Sequence, residues 1–546
     1  AFQQFFHEKN LAPYFGSIDS LTRAMGDVSF DHQGRRIQGM RMQNTGDVYA
    51  VNGWEAMPYD NHSGIVDIYR NCKGNPSTFT YYTQPLYVAV SPRTQFVHLP
   101  GKVPVDFYIV NEKNLSGKYR LSVFVCTPDG KEGKHIEKEV HITGGDCFGQ
   151  LLLEHCQLEI EGVSGLYQVK AQLRNASGHL CAEGKDEVLG IYWDKKQLKG
   201  KGALYGTPDD PVATFYQKAT GCELPAFHSD IEKLDWIVVT RSSLDAPQPV
   251  PVEAFCQKEG KSVLELSLYK DDDLRTLAGV TQDNKIDRTF ADGAQPDPLL
   301  PANQSFSAIW DGKLKAPQSG TYMIGVTSDQ GMRLSVNGQR IVDEWRNNKE
   351  LTVVRPFLLK AGDEVAVRVE YSQRNPTGSV QLVWSLPDHA AIAPQELLDR
   401  VKEDGTSLLL LKSAESWMDA VSAYTGSAYH GYYSVGKNWV GGVHFVKEHP
   451  LFNGLPVNVA MGWPYQALVR NGDRRLGLHI DNEELVAGSY GSAPFNLGSA
   501  VGIISCGKGK IYYSTLDLVD NLNNPAAAAD VARKLFCNFI LLSKDR

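Results

Sequence analysis

Trp54 and Glu55 stand side by side, and Asp60, Asn61 and His62 follow a few residues later. A carboxylate beside an aromatic plate, with an amide and an imidazole close by, suits sugar chemistry. Glycoside hydrolysis needs two carboxyls flanking an oxocarbenium-like transition state, a platform for the ring and side chains that hydrogen-bond the hydroxyls. The stretch supplies one well-placed carboxylate, Glu55, and no partner acid. Glu55 is therefore the one catalytic candidate, read first as a supporting contact, and Trp54, Glu55, Asp60, Asn61 and His62 are expected to line a substrate pocket. The competing reading pairs Glu55 with an arginine and makes Asp60 and Asn61 caps of the turn at His62, Ser63 and Gly64.

A second set lies far downstream. In "FSAIWDGKLKAPQSGTYMIGVTSDQGMRLSVNGQRIVDEW", Phe306 to Trp345, alternating strands are broken by the loop "SDQG" and the hairpin turn "VNGQ". Asp329, Gln330 and Trp345 are the ligand candidates there. A carboxylate such as Asp329 can orient sugar hydroxyls or join a Ca²⁺ site, which needs six to eight oxygens, and a solvated turn is an equally good reading. Asp271 to Asp273 reads as a charged surface loop. His444 and His449 lack ligand spacing, and the nine cysteines include no C-x-x-C pair. No metal ligand set is expected, and no cofactor, Ca²⁺ being the one ion considered.

These residues need elements to hold them. Ser17 to Asn44 reads as a helix capped by Ser17 or Asp19, with Leu21, Met25, Val28, Ile37 and Met40 on its apolar positions. "DVYAVNGW" then reads as a strand. One helix and one strand cannot bury their own faces, so residues 1–85 read as one αβ unit of a parallel sheet or barrel begun elsewhere, and the resemblance described below makes them the C-terminal end of a (β/α)8 barrel. From Pro85 the period changes to two, and "PLYVAVSPRT", "KVPVDFYIVNE", "GKYRLSVFVCT" and "GLYQVKAQLRN" predict an antiparallel β-sandwich over 86–195. "KGALYGT", "KLDWIVVTRS" and "TSLLLL" alternate with the helices "PDDPVATFYQKATG" and "PQELLDRVKEDG". They predict a doubly wound α/β domain over 196–246 and 388–546, interrupted by a β module over 247–387. That domain has no Cys and no G-x-S-x-G at its strand-to-helix turns, so no nucleophile is expected in it.

Length and charge agree with a multidomain binding protein or enzyme. At roughly 150 residues per domain, 546 residues predict three or four domains. Net charge is −8, with the basic residues scattered, which gives no footprint for nucleic acid or an anionic membrane. No apolar run approaches the roughly 20 residues that cross a bilayer. The first residues have neither Met nor a basic segment before an apolar one, which predicts a processed or truncated start.

"NGWEAMPYDNHSGIVDIYRNCKGNPSTFTYYTQPLYVAV" resembles the last strand and exit of the catalytic barrel of family 2 glycoside hydrolases, the β-galactosidase, β-glucuronidase and β-mannosidase group. In that family a Trp ends the eighth strand, a "GIV"-like segment and an Arg follow, and the chain enters an immunoglobulin-like sandwich. Phe306 to Trp345, with its W-x-G, "SGTY", "SDxG" and V-N-G elements, is similar to the protective-antigen-type β module of many glycosidases and adhesins. The interrupted α/β domain is similar to the glutamine-amidotransferase-like domain of some β-galactosidases. The resemblance implies the C-terminal portion of a secreted, periplasmic or extracellular, retaining β-glycosidase, with carbohydrate as partner and the acid/base and nucleophile on absent strands. "SDQG" stands where Ca²⁺-dependent modules carry paired Asp. The alternative is a non-catalytic carbohydrate-binding or cell-surface adhesion protein, and a third reading is a scaffold whose α/β domain drives homo-oligomerisation.

Overall fold

The computed structural model describes residues 2–44, 65–67, 69–207, 209–228, 230–242, 247–258, 261–262, 264–387, 394–434, 444–469, 476–490 and 497–544. They form two compact units, Ala1–Arg241 with Ala393–Arg546, and Ser242–Ile392.

The first unit begins with helices. Ser17 caps Ile18–Met42 through its Oγ, which accepts from the Ser20 amide at 3.1 Å, and Asp19 sits in the first turn, where the helix dipole favours an anion. Gly34 lets the helix Ser77–Thr83 come close, since a Cβ there would fall 2.1 Å from the Tyr82 ring. The apolar stripe is buried inside the chain itself. Phe5, Leu11, Phe15, Leu21 and Met25 pack against Phe445, Ala460, Leu485 and Leu497, and Gln38 Nε2 donates to Val90 O at 3.1 Å. The expected barrel remnant over 1–85 is corrected: the described residues there are helical, with one isolated bridge between Val66 and Cys72. Its premise was that this helix needed absent strands to cover it, and sheets from later in the sequence cover it instead. The strand read in "DVYAVNGW" lies outside the described residues.

The β-sandwich forms as its period-two pattern requires. Leu86–Pro92, Gly101–Asn111 and Gly149–Ile160 make one sheet; Phe96–His98, Leu180–Ile191, Gly165–Arg174, Gly117–Cys126 and Glu132–Ile142 make the other. Val88, Val90, Val105, Phe107 and Ile109 share one core with Leu121, Val123, Val169 and Leu173. All its pairs are antiparallel except Phe96–His98 with Leu180–Ile191.

The expected doubly wound sheet is also corrected. Gly202–Tyr205, Trp236–Val239, Ser407–Leu410 and Gly509–Ser514 run parallel, but they are one side of a ten-stranded mixed sheet whose other side is antiparallel. Helices Pro211–Thr220 and Asp530–Leu542 cover Leu204, Val238, Leu409 and Tyr512 on one face, and Pro394–Asp404 packs on Ser407–Leu410 and Gly509–Ser514. Parallel pairing needs a long crossover, which helices Pro211–Thr220 and Pro394–Asp404 provide. The two-residue turn at Gly507 and Lys508 permits only the antiparallel pairing of Leu497–Cys506 with Gly509–Ser514.

The second unit is a β-sandwich. Phe306–Lys315 and Glu364–Gln373 are central in a six-stranded sheet, and Gly320–Ser328 and Gly378–Ser385 are central in a five-stranded one. Trp310, Leu334, Val369 and Tyr371 pack with Tyr322, Ile324, Leu382 and Trp384 in its core. "VNGQ" is the expected hairpin turn: Asn337 and Gly338 both take positive φ, 48° and 79°, joining Gly331–Val336 to Gln339–Glu344.

Candidate functional site

The loop "SDQG" joins strands Gly320–Ser328 and Gly331–Val336, and hydrogen bonds hold it on all sides. Ser328 Oγ accepts from the Gln330 amide at 3.1 Å and donates to Ser379 O at 2.7 Å. Asp329 Oδ1 accepts from the Ser379 amide at 2.6 Å and from Ser379 Oγ at 3.2 Å. Gln330 is 3% exposed; its Nε2 donates to Thr377 O at 3.0 Å and its Oε1 accepts from the Arg374 amide at 3.3 Å. Asp329 thus staples the loop to the next strand.

Trp345 belongs to the same cluster through Arg374, whose Nη1 donates to Trp345 O at 2.7 Å and whose Nε donates to Asp272 Oδ2 at 3.0 Å. The guanidinium carbons of Arg333 and Arg374 lie 4.3 and 5.9 Å from the indole centroid, and Trp345 Nε1 donates to Asp273 Oδ1 at 3.1 Å. The structure therefore brings Asp329, Gln330 and Trp345 together, with one difference from the sequence reading. Trp345 is no open platform, because Arg333 covers its ring in a cation–π contact.

The acidic run is spent on its own loop. The Asp271 carboxylate accepts from the amides of Asp273 and Arg275, each at 3.0 Å, and of Thr276 at 2.6 Å. The Arg275 amide leads these in holding the Asp271 carboxyl down at about 2. Trp345 N–H, ahead of Arg275, lowers Asp273 in the same direction. Because the folded carboxyl of Asp271 titrates below its unfolded value, its contribution to loop order is present above about pH 4. It is lost as pH falls towards 2. Amide exchange at Asp273, Arg275 and Thr276 is expected to speed up over that window, and Asp271→Asn should remove the pH dependence.

Arg374 separates two clefts. The larger, about 800 Å³, is walled by segments 287–296, 303–305 and 373–376; the smaller, about 230 Å³, lies against Asp271, Asp272, Asp273, Trp345 and Arg346. Asp292, Asn303 and Asn375 are exposed in the larger cleft. Below them Phe290 is buried, stacked on Tyr371 at 5.5 Å and set edge-on to Phe306 at 5.0 Å. Such a wall can exchange hydrogen bonds with hydroxyls over an apolar floor. Of its two carboxylates, Asp287 accepts from Lys285 and Gln381, and no group of three or more His, Cys, Asp or Glu among the described residues could hold a metal ion.

Trp54, Glu55, Asp60, Asn61 and His62 lie outside the described residues. Arg374, Asp292, Asn303 and Asn375 escaped the sequence reading. For Asp292 and Asn303 the signal was the long connection 291–305, "ADGAQPDPLLPANQS", with three Pro and a length that is uncommon without a role.

Residues 260–397 match the family model of the PA14 domain. Both clefts lie within the matched residues. The anti-sigma-I factor RsgI3 of Acetivibrio thermocellus is 29% identical over 117 residues, which are 21% of this chain and 18% of that protein. The chain therefore spans less than a fifth of the length of this curated relative. Among solved structures, an anti-sigma factor domain-containing protein from Clostridium clariflavum aligns at 17% identity and TM-score 0.22, covering 55% of this chain and 93% of that one. The Epithelial Adhesin 9 A domain from Candida glabrata, in complex with Galβ1-4GlcNAc, aligns at 11% identity and TM-score 0.19, covering 27% and 89%.

The resemblance to family 2 glycoside hydrolases is corrected: the family model that matches is that of the PA14 domain, and the curated relative is an anti-sigma-I factor. The described part of the stretch that carried it forms a turn at Asp67 to Asn71, closed by the Asp67 carboxylate on the Tyr69 and Asn71 amides at 2.8 Å, and then helix Ser77–Thr83.

Proposed function

We propose that the PA14 domain is a carbohydrate-binding module and that the chain acts through it as a non-catalytic binding protein at or beyond the cell surface. The observation that carries this reading is the 800 Å³ cleft, whose exposed Asp292, Asn303 and Asn375 have no side-chain partner among the described residues. Carboxylates and amides with unspent capacity match the alternating donors and acceptors of sugar hydroxyls. Both flanks of the floor keep the cleft from collapsing: Gln381 Nε2 donates to Asp287 at 3.0 Å, and Arg288 Nε donates to Asp283 at 2.8 Å. The sandwich over 86–195, which has the strand period of an immunoglobulin-like domain, and the mixed sheet over 196–246 and 388–546 serve as scaffold in this reading. No helix among the described residues is long and apolar enough to cross a membrane.

The test is a glycan array probed with the whole chain, followed by calorimetry on the best ligand. Asp292→Ala and Asn303→Ala should each weaken binding by roughly 2–10-fold, the worth of one hydrogen bond at about 0.5–1.5 kcal/mol. A chain that binds no glycan, or that binds one indifferently to both substitutions, would overturn the assignment.

A further inference from the structure

The wall formed by 373–376 must be held in place for Arg374 and Asn375 to meet a ligand. Within the wall Gln373 accepts from the Tyr371 hydroxyl and donates to Pro376 O, and Arg374 reaches Asp272 and Trp345 O; one side chain from outside it spans its backbone. Gln330 reaches from the opposite loop, accepting from the Arg374 amide and donating to Thr377 O, and so brackets the wall at both ends. Its surroundings are tight: a Cβ on Gly378 would fall 2.9 Å from Gln330 Cγ and 2.2 Å from the Tyr371 hydroxyl. The two groups it satisfies differ in kind, one N–H donor and one carbonyl acceptor. A neutral amide answers both at once. A carboxylate would face the Thr377 carbonyl with like charge, and a cation would face the Arg374 N–H with the wrong sign.

We propose that Gln330 is the positioning residue of the cleft, doing with two hydrogen bonds what a bridging cation would otherwise do, so that ligand binding by this PA14 domain is independent of metal. The glycan arm of the test rests on the carbohydrate reading above; the positioning claim does not, because it can be followed in the free protein.

The decisive variant is Gln330→Glu. At pH 7.5 its carboxylate cannot donate to Thr377 O, and glycan affinity should fall at least tenfold. At pH 5 the buried carboxyl, raised by its surroundings, takes up a proton and regains the donor, so affinity should return to within about threefold of wild type. The charged groups packed nearby are Asp329 and Arg374, with Asp272 paired to the latter. The wild-type chain carries the same three, and its flat profile over this range is the control. EDTA or added Ca²⁺ should change neither protein.

Amide exchange at Arg374, whose N–H donates to Gln330 Oε1, measured without glycan, should be slow in the wild type with or without EDTA; in Gln330→Glu at pH 7.5 repulsion between the carboxylate and Thr377 O should unlatch the wall and expose this amide, and at pH 5 protection should return. Loss of wild-type protection in EDTA overturns the proposal. So does a Gln330→Glu chain that exchanges like the wild type at pH 7.5, or one that stays exposed at both pH values while its strand amides remain protected. Should Gln330→Glu fail to fold, Gln330→Ala replaces it, with exposure expected at both pH values and wild-type-like protection counting against the proposal. If these exchange results hold while no glycan binds, the carbohydrate reading fails and the positioning role stands.

Discussion

Arg374→Ala is expected to cost more than tenfold in glycan affinity, upwards of about 1.4 kcal/mol, with little change in melting temperature. Arg374 stands on the ridge between the two clefts and is held by two directed bonds, Nε to Asp272 and Nη1 to Trp345 O, beside the indole. Its removal deletes a donor lining both clefts and cuts one of the ties between Trp345 and the acidic loop, leaving Trp345 Nε1 on Asp273. Stability should barely respond, because the ion pair with Asp272 is 34% and 42% exposed and pairs of that kind are worth about 0–1 kcal/mol. Arg374→Lys should not restore binding, since an ammonium cannot reproduce the planar fork that meets both acceptors. Calorimetric titration alongside thermal melts would show it. Equal affinity in wild type and Arg374→Ala would place the ligand elsewhere.

The largest effect on stability is expected from Arg35→Met. On helix Ile18–Met42, Arg35 pairs with Asp31 at 2.9 Å and with Asp186 of strand Leu180–Ile191 at 2.8 Å, with the Trp463 ring 5.8 Å away. Asp186 is only 4% exposed, so losing its partner strands a buried charge. Breaking such a pair costs about 3–5 kcal/mol when both partners are fully buried; Arg35 is 23% exposed, and about 2–4 kcal/mol is the corresponding expectation. Burial pushes the Asp186 carboxyl up to about 6, against the pull of Arg35. A folded value above the unfolded one means that this group's contribution is most favourable below about pH 4 and declines as pH rises through 6. Without Arg35 the carboxyl rises further and protonates more readily. The deficit of Arg35→Met should therefore be small at pH 5 and large at pH 8, and Arg35→Met with Asp186→Leu should recover much of it. Denaturant melts at both pH values would measure this, and a deficit independent of pH would count against the buried pair.

How much was legible beforehand depended on whether the signal was local. The Ser17 cap, the Gly221 end of helix Pro211–Thr220 with its φ of 75°, and the "VNGQ" turn were readable because each is decided by the residue that occupies it. Alternation along Gly165–Arg174 likewise announces a strand with one buried face. The family 2 resemblance went astray at a non-local question, namely what covers the N-terminal helices. Their apolar stripe looks the same whether absent barrel strands or Phe445 and Leu485 lie against it.

The candidate site shows the same division. The strand-loop-strand pattern singled out Asp329, Gln330 and Trp345, and the structure shows only that they share one hydrogen-bonded cluster. Their joining through Arg374, distant in sequence from both Asp272 and Trp345, could not be read. Nor could the loss of the Trp345 face to Arg333.

From its residues alone, this chain determines an ordinary globular composition, a β-rich multidomain organisation, the caps and turns of its elements, and a protective-antigen-like strand pattern, because each depends on neighbours within a few positions. Tertiary structure alone decided that the sheet is mixed, that Phe445, Leu485 and Leu497 cover the first helices, and that a neutral glutamine and an arginine shape the cleft. Those outcomes turn on contacts between residues tens to hundreds of positions apart, where hydrogen-bond partner and burial are set by the fold and leave no periodic trace along the chain.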